Sequence, residues 1–269
     1  MEIGFCLSTF GTRYIELREA AQQIESLGYA SIHVWDHYVA WPDPQESVLE
    51  AWTTLAGLAE VTQRLRLGPL VANILNRHPG RLAKVAATLQ ELSGGRCDLA
   101  IGSGSGGEEQ ESFGITVGDT AERIARFEEA LQIIPELWKG KPVMFRGEYY
   151  SLTNAICMPA QNPPPRLIGA ATLPASARLA GKYADGVNFP WVVNERFPTL
   201  FDSLEEGLAE SGRYRKGFDV SLHVRWHVLG SDPLQAMNQW KKLGFTRVII
   251  YLSLPFPLAE IETLALALD

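Results

Sequence analysis

Two histidines stand four residues apart in the segment His33-Val34-Trp35-Asp36-His37. On a helix that spacing brings two imidazoles to one metal ion. The apolar run at residues 31–35 instead predicts a strand, along which four residues span roughly 13 Å, too far for a shared ion. No metal site is expected. His37 falls just past the predicted strand end, with Asp36 beside it and Trp41 four residues on, in a loop that holds Pro42 and Pro44. A titratable imidazole beside an indole suits proton transfer near an aromatic or flavin-like ring. A loop histidine that caps backbone carbonyls fits the same residues.

Two further segments carry chemistry in their small residues. Gly102-Ser103-Gly104-Ser105-Gly106-Gly107 matches the pattern GxGxxG after a predicted strand. A dinucleotide fold would start its helix within that turn, yet residues 108–117 intervene and three strand–helix units already precede it. Bare backbone there lets a flat ligand approach closely, with the Ser103 and Ser105 hydroxyls in reach, and a plain surface loop is the other reading. Residues 169–176, Gly-Ala-Ala-Thr-Leu-Pro-Ala-Ser, join a strand to a helix whose first amides form an anion site suited to a phosphate, or an ordinary tight turn. His78, just before Pro79, reads as a cap. Trp138, Trp226 and Trp240 read as packing, and Trp191 as a residue of a pocket mouth.

The elements that must position these residues alternate. Strands are expected at 3–8, 31–35, 65–71, 96–101, 166–170, 186–189, 220–229 and 247–252. Helices are expected at 14–27, 49–62, 79–92, 119–138, 175–183, 195–210, 233–243 and 258–268. The rhythm breaks at residues 140–165, where VMF and YYSL flank Arg146-Gly147-Glu148 as a small hairpin before a proline-rich stretch. Eight strand–helix units over 269 residues with one composition regime favour an α/β fold, a single (β/α)8 TIM barrel with a short insertion after the fourth helix. In such a barrel the chemistry belongs on the loops that follow the strands, which include 36–47, 102–117 and 171–174.

Composition narrows the partners. A chain that is 46% hydrophobic and 20% charged supports a real core. Its net charge of −7, without a cluster of Lys or Arg, provides no footprint for nucleic acid. Three cysteines at unrelated spacings suit neither a disulfide framework nor a metal site, and point to the cytoplasm. Neither a signal peptide nor a membrane partner is expected.

Taken together, LEAWTTLAGLAEVTQRLRLGPLV, RHPGRLAKVAATLQELSGGR, GSGSGGEEQESFGI, ARFEEALQIIPELWKGKPVMFRGEYY and LAGKYADGVN resemble the bacterial-luciferase-like flavin and deazaflavin oxidoreductases. The resemblance runs from Met1 to about Asn188. It implies a dimeric barrel that binds FMN or coenzyme F420, a deazaflavin, at its mouth. Asp36-His37 followed by Trp41 is similar to the pattern of the deazaflavin-dependent sugar-phosphate dehydrogenases, which implies that His37 is the base and Trp41 supports the developing charge. The same resemblance places Asp36, Ser103 and Gly104 near the deazaflavin, and Thr172, Leu173, Ala175 and Ser176 around its phosphate. It also implies an irregular backbone at Val71-Ala72-Asn73, with a non-proline cis peptide, bracing the central ring. One residue departs from the pattern: Ser105 stands where those dehydrogenases have an acid.

The expected protein is thus an F420-dependent oxidoreductase. It moves a hydride between C5 of the coenzyme and a small organic substrate, with His37 handling the proton. A two-component monooxygenase using reduced FMN is the nearest alternative, and a flavin-binding barrel without turnover the next.

Overall fold

The computed structural model describes residues 1–104 and 107–268. β1 (Glu2–Leu7) and α1 (Tyr14–Ser26) form the first unit, in which α1 buries Leu17, Ala20, Ala21 and Ile24, the one-sided stripe of a helix lying on a sheet. β2 (Ser31–Val34) leads through the His37 loop to α2 (Ala51–Glu60), which Glu50 caps by accepting from the Thr53 amide at 2.7 Å. β3 (Arg66–Pro69) and a two-residue β4 (Ala72–Asn73) precede α3 (Pro79–Leu92). His78 caps α3, its Nδ1 accepting from the Gly80 amide at 3.0 Å. β5 (Asp98–Gly102) is followed by a short α4 (Glu108–Ser112) and the long α5 (Thr120–Trp138), capped by Asp119.

The interruption is the expected hairpin, β6 (Val143–Arg146) and β7 (Ser151–Ala155). The alternation then resumes with β8 (Arg166–Ala170), α6 (Pro174–Tyr183), β9 (Gly186–Pro190), α7 (Phe197–Glu210), β10 (Asp219–Arg225), α8 (Pro233–Leu243), β11 (Arg247–Leu252) and α9 (Leu258–Leu268). No described helix is long and apolar enough to cross a membrane.

Nine strands form one parallel sheet in the order β3-β2-β1-β11-β10-β9-β8-β5-β4. Its two ends meet, since β3 also bridges β5 at Leu67 and Cys97, and the sheet is a nearly closed barrel of the (β/α)8 kind. The ninth strand arises because the run expected at 65–71 is divided. Leu67 stands opposite Cys97, while Ala72 stands opposite Ile101. The first strand advances five residues where its neighbour advances four, so one extra residue is inserted as a bulge. The Leu70–Val71 peptide within it is cis. An inserted residue reverses the side-chain alternation, and consecutive Leu70 and Val71 accordingly both join the cluster inside the barrel, with Cys6, Ala100, Ile168 and Ile249.

Two other expectations need correction. The strand expected at 220–229 ends at Arg225, its last pair being with Tyr251, and Trp226–Leu229 is a 3-10 turn because β11 offers no further partner. The helix expected from residue 195 begins at Phe197, behind a 3-10 turn over Trp191–Arg196. At the closed end of the barrel, Asp98 accepts from Arg66 Nε at 2.7 Å, Arg166 Nη2 at 2.6 Å and Arg247 Nη1 at 3.0 Å. Burial works to push its carboxyl up, but the Arg166 hydrogen bonds and the charges of three arginines hold it far below the carboxylate range.

Candidate active site

At the other end, where the strands point, the mouth encloses a cavity of about 250 Å³. Ligand pockets for whole molecules run to roughly 300–1,000 Å³, so this one suits a fused ring system whose tail lies along the rim.

His37 stands in its wall, 43% exposed at the side chain, with its Nδ1 2.9 Å from Glu109 Oε2. The rings of Phe10 and Trp35 meet it edge-on with centroids 5.6 and 5.8 Å away, and Trp35 is itself stacked on Tyr251 at 4.1 Å. Glu109 comes from the first turn of α4 and reaches back across the mouth. Its Oε1 accepts from the amides of Tyr38 and, at 3.4 Å, Val39. Burial works to raise the Glu109 carboxyl, but those amides and His37 hold it below its ordinary value, so it is ionised.

Asp36 also lines the cavity, although its carboxylate is taken by the protein. Arg77 Nη1 donates to both oxygens, and the Asn73 amide donates to Oδ2 at 3.3 Å. Burial pushes the Asp36 carboxyl up, and the Arg77 guanidinium opposes it.

Two glycines are among the residues that line the cavity. Gly102 and Gly104 present backbone to the cavity: a Cβ at Gly102 would meet Val71 Cγ2 at 2.9 Å, and one at Gly104, where φ is +86°, would meet Leu75 Cδ1 at 2.8 Å. Ser103, Val71, Asn73 and Thr172 line it as well. Ala72 does not reach the cavity and packs outward in the helical layer. Thr172 leads into α6, whose first turn holds Ala175 exposed and Ser176 buried, the Ser176 hydroxyl donating to the Leu173 carbonyl at 2.9 Å. Amides at such a helix start lack partners within the helix and attract anions.

The structure does not bring Trp41 to this cavity. Its side chain lies at the surface, 71% exposed. Trp191 packs against Trp240 and Phe197 in the helical layer. Ser105 lies outside the described residues.

Glu109, Arg77, Asn188 and His223 are among the residues of the site that escaped the sequence reading. Asn188 and His223 are inward positions of β9 and β10 that line the cavity. Their strands were legible, and counting alternate residues from either neighbouring strand would have aimed them inward. Burial pushes His223 down to about 4, so its ring is neutral at pH 7.

A nearly closed parallel barrel with a cavity at the strand ends, lined there by an imidazole and by glycine backbone, defines a barrel of the luciferase-like kind. A family profile described as luciferase-like monooxygenase matches residues 1–247, and the chain belongs to that family. It is 32% identical over 237 residues to an F420-dependent glucose-6-phosphate dehydrogenase of Kineococcus radiotolerans, covering 86% of this chain and 70% of that one. A second such dehydrogenase, from Beutenbergia cavernae, is 34% identical over 230 residues, covering 82% and 67%. Among solved structures, an F420-dependent secondary alcohol dehydrogenase in complex with an F420-acetone adduct superimposes with a TM-score of 0.86 at 19% identity, over 98% of this chain and 97% of that one.

Proposed function

We propose that this barrel is an F420-dependent oxidoreductase acting on a small uncharged alcohol or carbonyl compound. The observation that carries the reading is His37, standing in the wall of a cavity that the bare backbone of Gly102 and Gly104 also lines. The residues present fit a flat deazaflavin. Val71, Asn73, Ser103 and Gly104 would hold its ring, and Thr172 with the first turn of α6 its phosphate. The F420-dependent relatives support the choice of coenzyme.

A bound deazaflavin supplies hydride exchange at its C5, and the cofactor carries that chemistry. The protein supplies the proton. Nε2 of His37, the nitrogen that Glu109 does not hold, takes the hydroxyl proton when an alcohol is oxidised and returns it in the reverse direction. Asp36 serves the site from behind, as the anchor through which Arg77 fixes the loop that carries His37. Trp35, Asn188 and neutral His223 make the remaining wall aromatic and amide-like, which suits an uncharged substrate. Trp41 belongs to the same proposal as the residue that supports the developing charge from the rim. So do a homodimer and a cytoplasmic setting.

An anaerobic titration with F420 and with FMN tests the reading. Tight deazaflavin binding with much weaker FMN binding is expected. Tight FMN binding with none of the deazaflavin would replace it with the two-component monooxygenase, and binding without turnover of any alcohol or ketone with the non-catalytic barrel.

A further inference from the structure

Glu109 receives more donors than a surface glutamate needs. Besides His37 Nδ1 at 2.9 Å, its carboxylate takes the Tyr38 and Val39 amides on Oε1 and the Gln110 side-chain amide at 3.3 Å on Oε2. Gln110 is itself buried and donates also to Asn76. Two loops are tied by this one side chain, and its orientation is fixed by them.

We propose that Glu109 is the positioning residue of the site: it holds the neutral His37 ring with the proton on Nδ1 and leaves Nε2 as the proton-accepting nitrogen. An ionised carboxylate has no proton to give and can only accept. The nitrogen facing it must therefore donate, and in neutral imidazole the other nitrogen then bears the lone pair. Phe10 and Trp35 fix the plane of the ring, so that the carboxylate decides its tautomer and the aromatic edges its tilt. The tautomer stands independently of the proposed function; its effect on turnover rests on that reading.

The geometry makes a specific demand on Glu109→Gln. The Tyr38 and Val39 amides still require an acceptor at the Oε1 position, so the amide oxygen stays there and the NH2 group turns to His37. An NH2 group donates, and Nδ1 must then accept. The tautomer is inverted with little change in shape.

Long-range ¹H–¹⁵N spectra of the coenzyme-free protein, recorded above the histidine titration range, read this directly. The protein has five histidines, and the signal lost in His37→Gln assigns His37. Wild type is expected to show Nδ1–H and Glu109→Gln to show Nε2–H at His37. With coenzyme and a turned-over substrate, Glu109→Gln should keep its coenzyme affinity within about threefold and lose roughly 10²–10⁴ in kcat, the scale on which a mis-set tautomer acts. Nε2–H at His37 in wild type overturns the proposal even if Glu109→Gln does not fold, and so does an unchanged tautomer in Glu109→Gln. Should the tautomer be as expected while His37→Ala turns over normally, the functional reading fails and the assignment of the proton stands.

Discussion

Arg77 Nη1 lies 2.8 and 2.7 Å from the two carboxylate oxygens of Asp36, and its Nη2 reaches Glu50 at 2.8 Å. One guanidinium thus joins the residue beside His37 to the cap of α2. The Asp36 and Arg77 side chains are 1% and 10% exposed, so the pair is buried rather than superficial. Arg77→Met should remove the charge that offsets the burial of Asp36, and breaking a buried pair on one side costs about 3–5 kcal/mol. Urea denaturation checks it. A loss below about 1 kcal/mol would show that Asp36 is already neutral.

His37→Ala should separate binding from rate. The coenzyme dissociation constant is expected to stay nearly unchanged while kcat falls by roughly 10²–10⁴, the usual worth of a positioned acid or base. A variant with normal turnover at saturating coenzyme but weaker affinity would assign His37 to the loop instead.

For Trp41→Ala, exposure sets the expectation. A side chain at 71% exposure contributes within about 0.5 kcal/mol to folding, so the melting temperature should not move. A drop in kcat of about tenfold, worth about 1.4 kcal/mol of transition-state stabilisation, would then report a contact made only in the loaded enzyme. Unchanged kinetics would leave the indole without a catalytic part.

Ala175→Glu sets two effects against each other. A carboxylate in the first turn of α6 favours the helix by about 0.3–1 kcal/mol. It also occupies the ground assigned to the coenzyme phosphate. Isothermal titration should show affinity falling at least about tenfold in a protein of equal or greater stability, and less so at high salt. Equal affinity would move the phosphate elsewhere.

Acid stability should follow two buried histidines. Burial pushes His33 down to about 3 and His223 down to about 4, against an ordinary value near 6.5 in the unfolded chain. The folded values are depressed, so the unfolded state binds the protons first as pH falls. Stability is complete above about pH 6.5 and declines between there and pH 4 by up to about 1.4 kcal/mol per pH unit for each ring. Denaturant midpoints across that range measure it. His223→Gln should flatten the slope by about half, and an unchanged slope would mean that the ring charges without leaving the fold.

The helices at Pro79–Leu92, Pro233–Leu243 and Leu258–Leu268 and the strands at Arg166–Ala170 and Arg247–Leu252 match their expected bounds, because stripe, cap and terminal glycine or proline agree locally. The His37 loop, the glycine turn and the start of α6 could be picked out for a similar reason: each follows a strand end and carries residue types that packing does not need. Glu109 could not. In sequence it is one of three glutamates at 108, 109 and 111, and only the turn of α4 and the reach of its side chain distinguish it. Arg77 was hidden likewise, since a pair 41 residues apart leaves no periodic trace. The division of the third strand has no signature in a run as uniformly apolar as Leu67-Gly68-Pro69-Leu70-Val71-Ala72, where either phase of the alternation buries a hydrophobic residue.

That division also means the floor and the mouth of the barrel are out of step with one another on this side. Residues below it count alternation from one phase and residues above it from the other. Anyone transplanting the 70–78 loop onto a sister barrel would have to carry the extra residue along. Without it, the Val71 and Asn73 side chains would be delivered to the helical layer, and Ala72 to the cavity. The same arithmetic makes a single-residue deletion between Gly68 and Val71 a more radical change than exchanging the whole loop beyond.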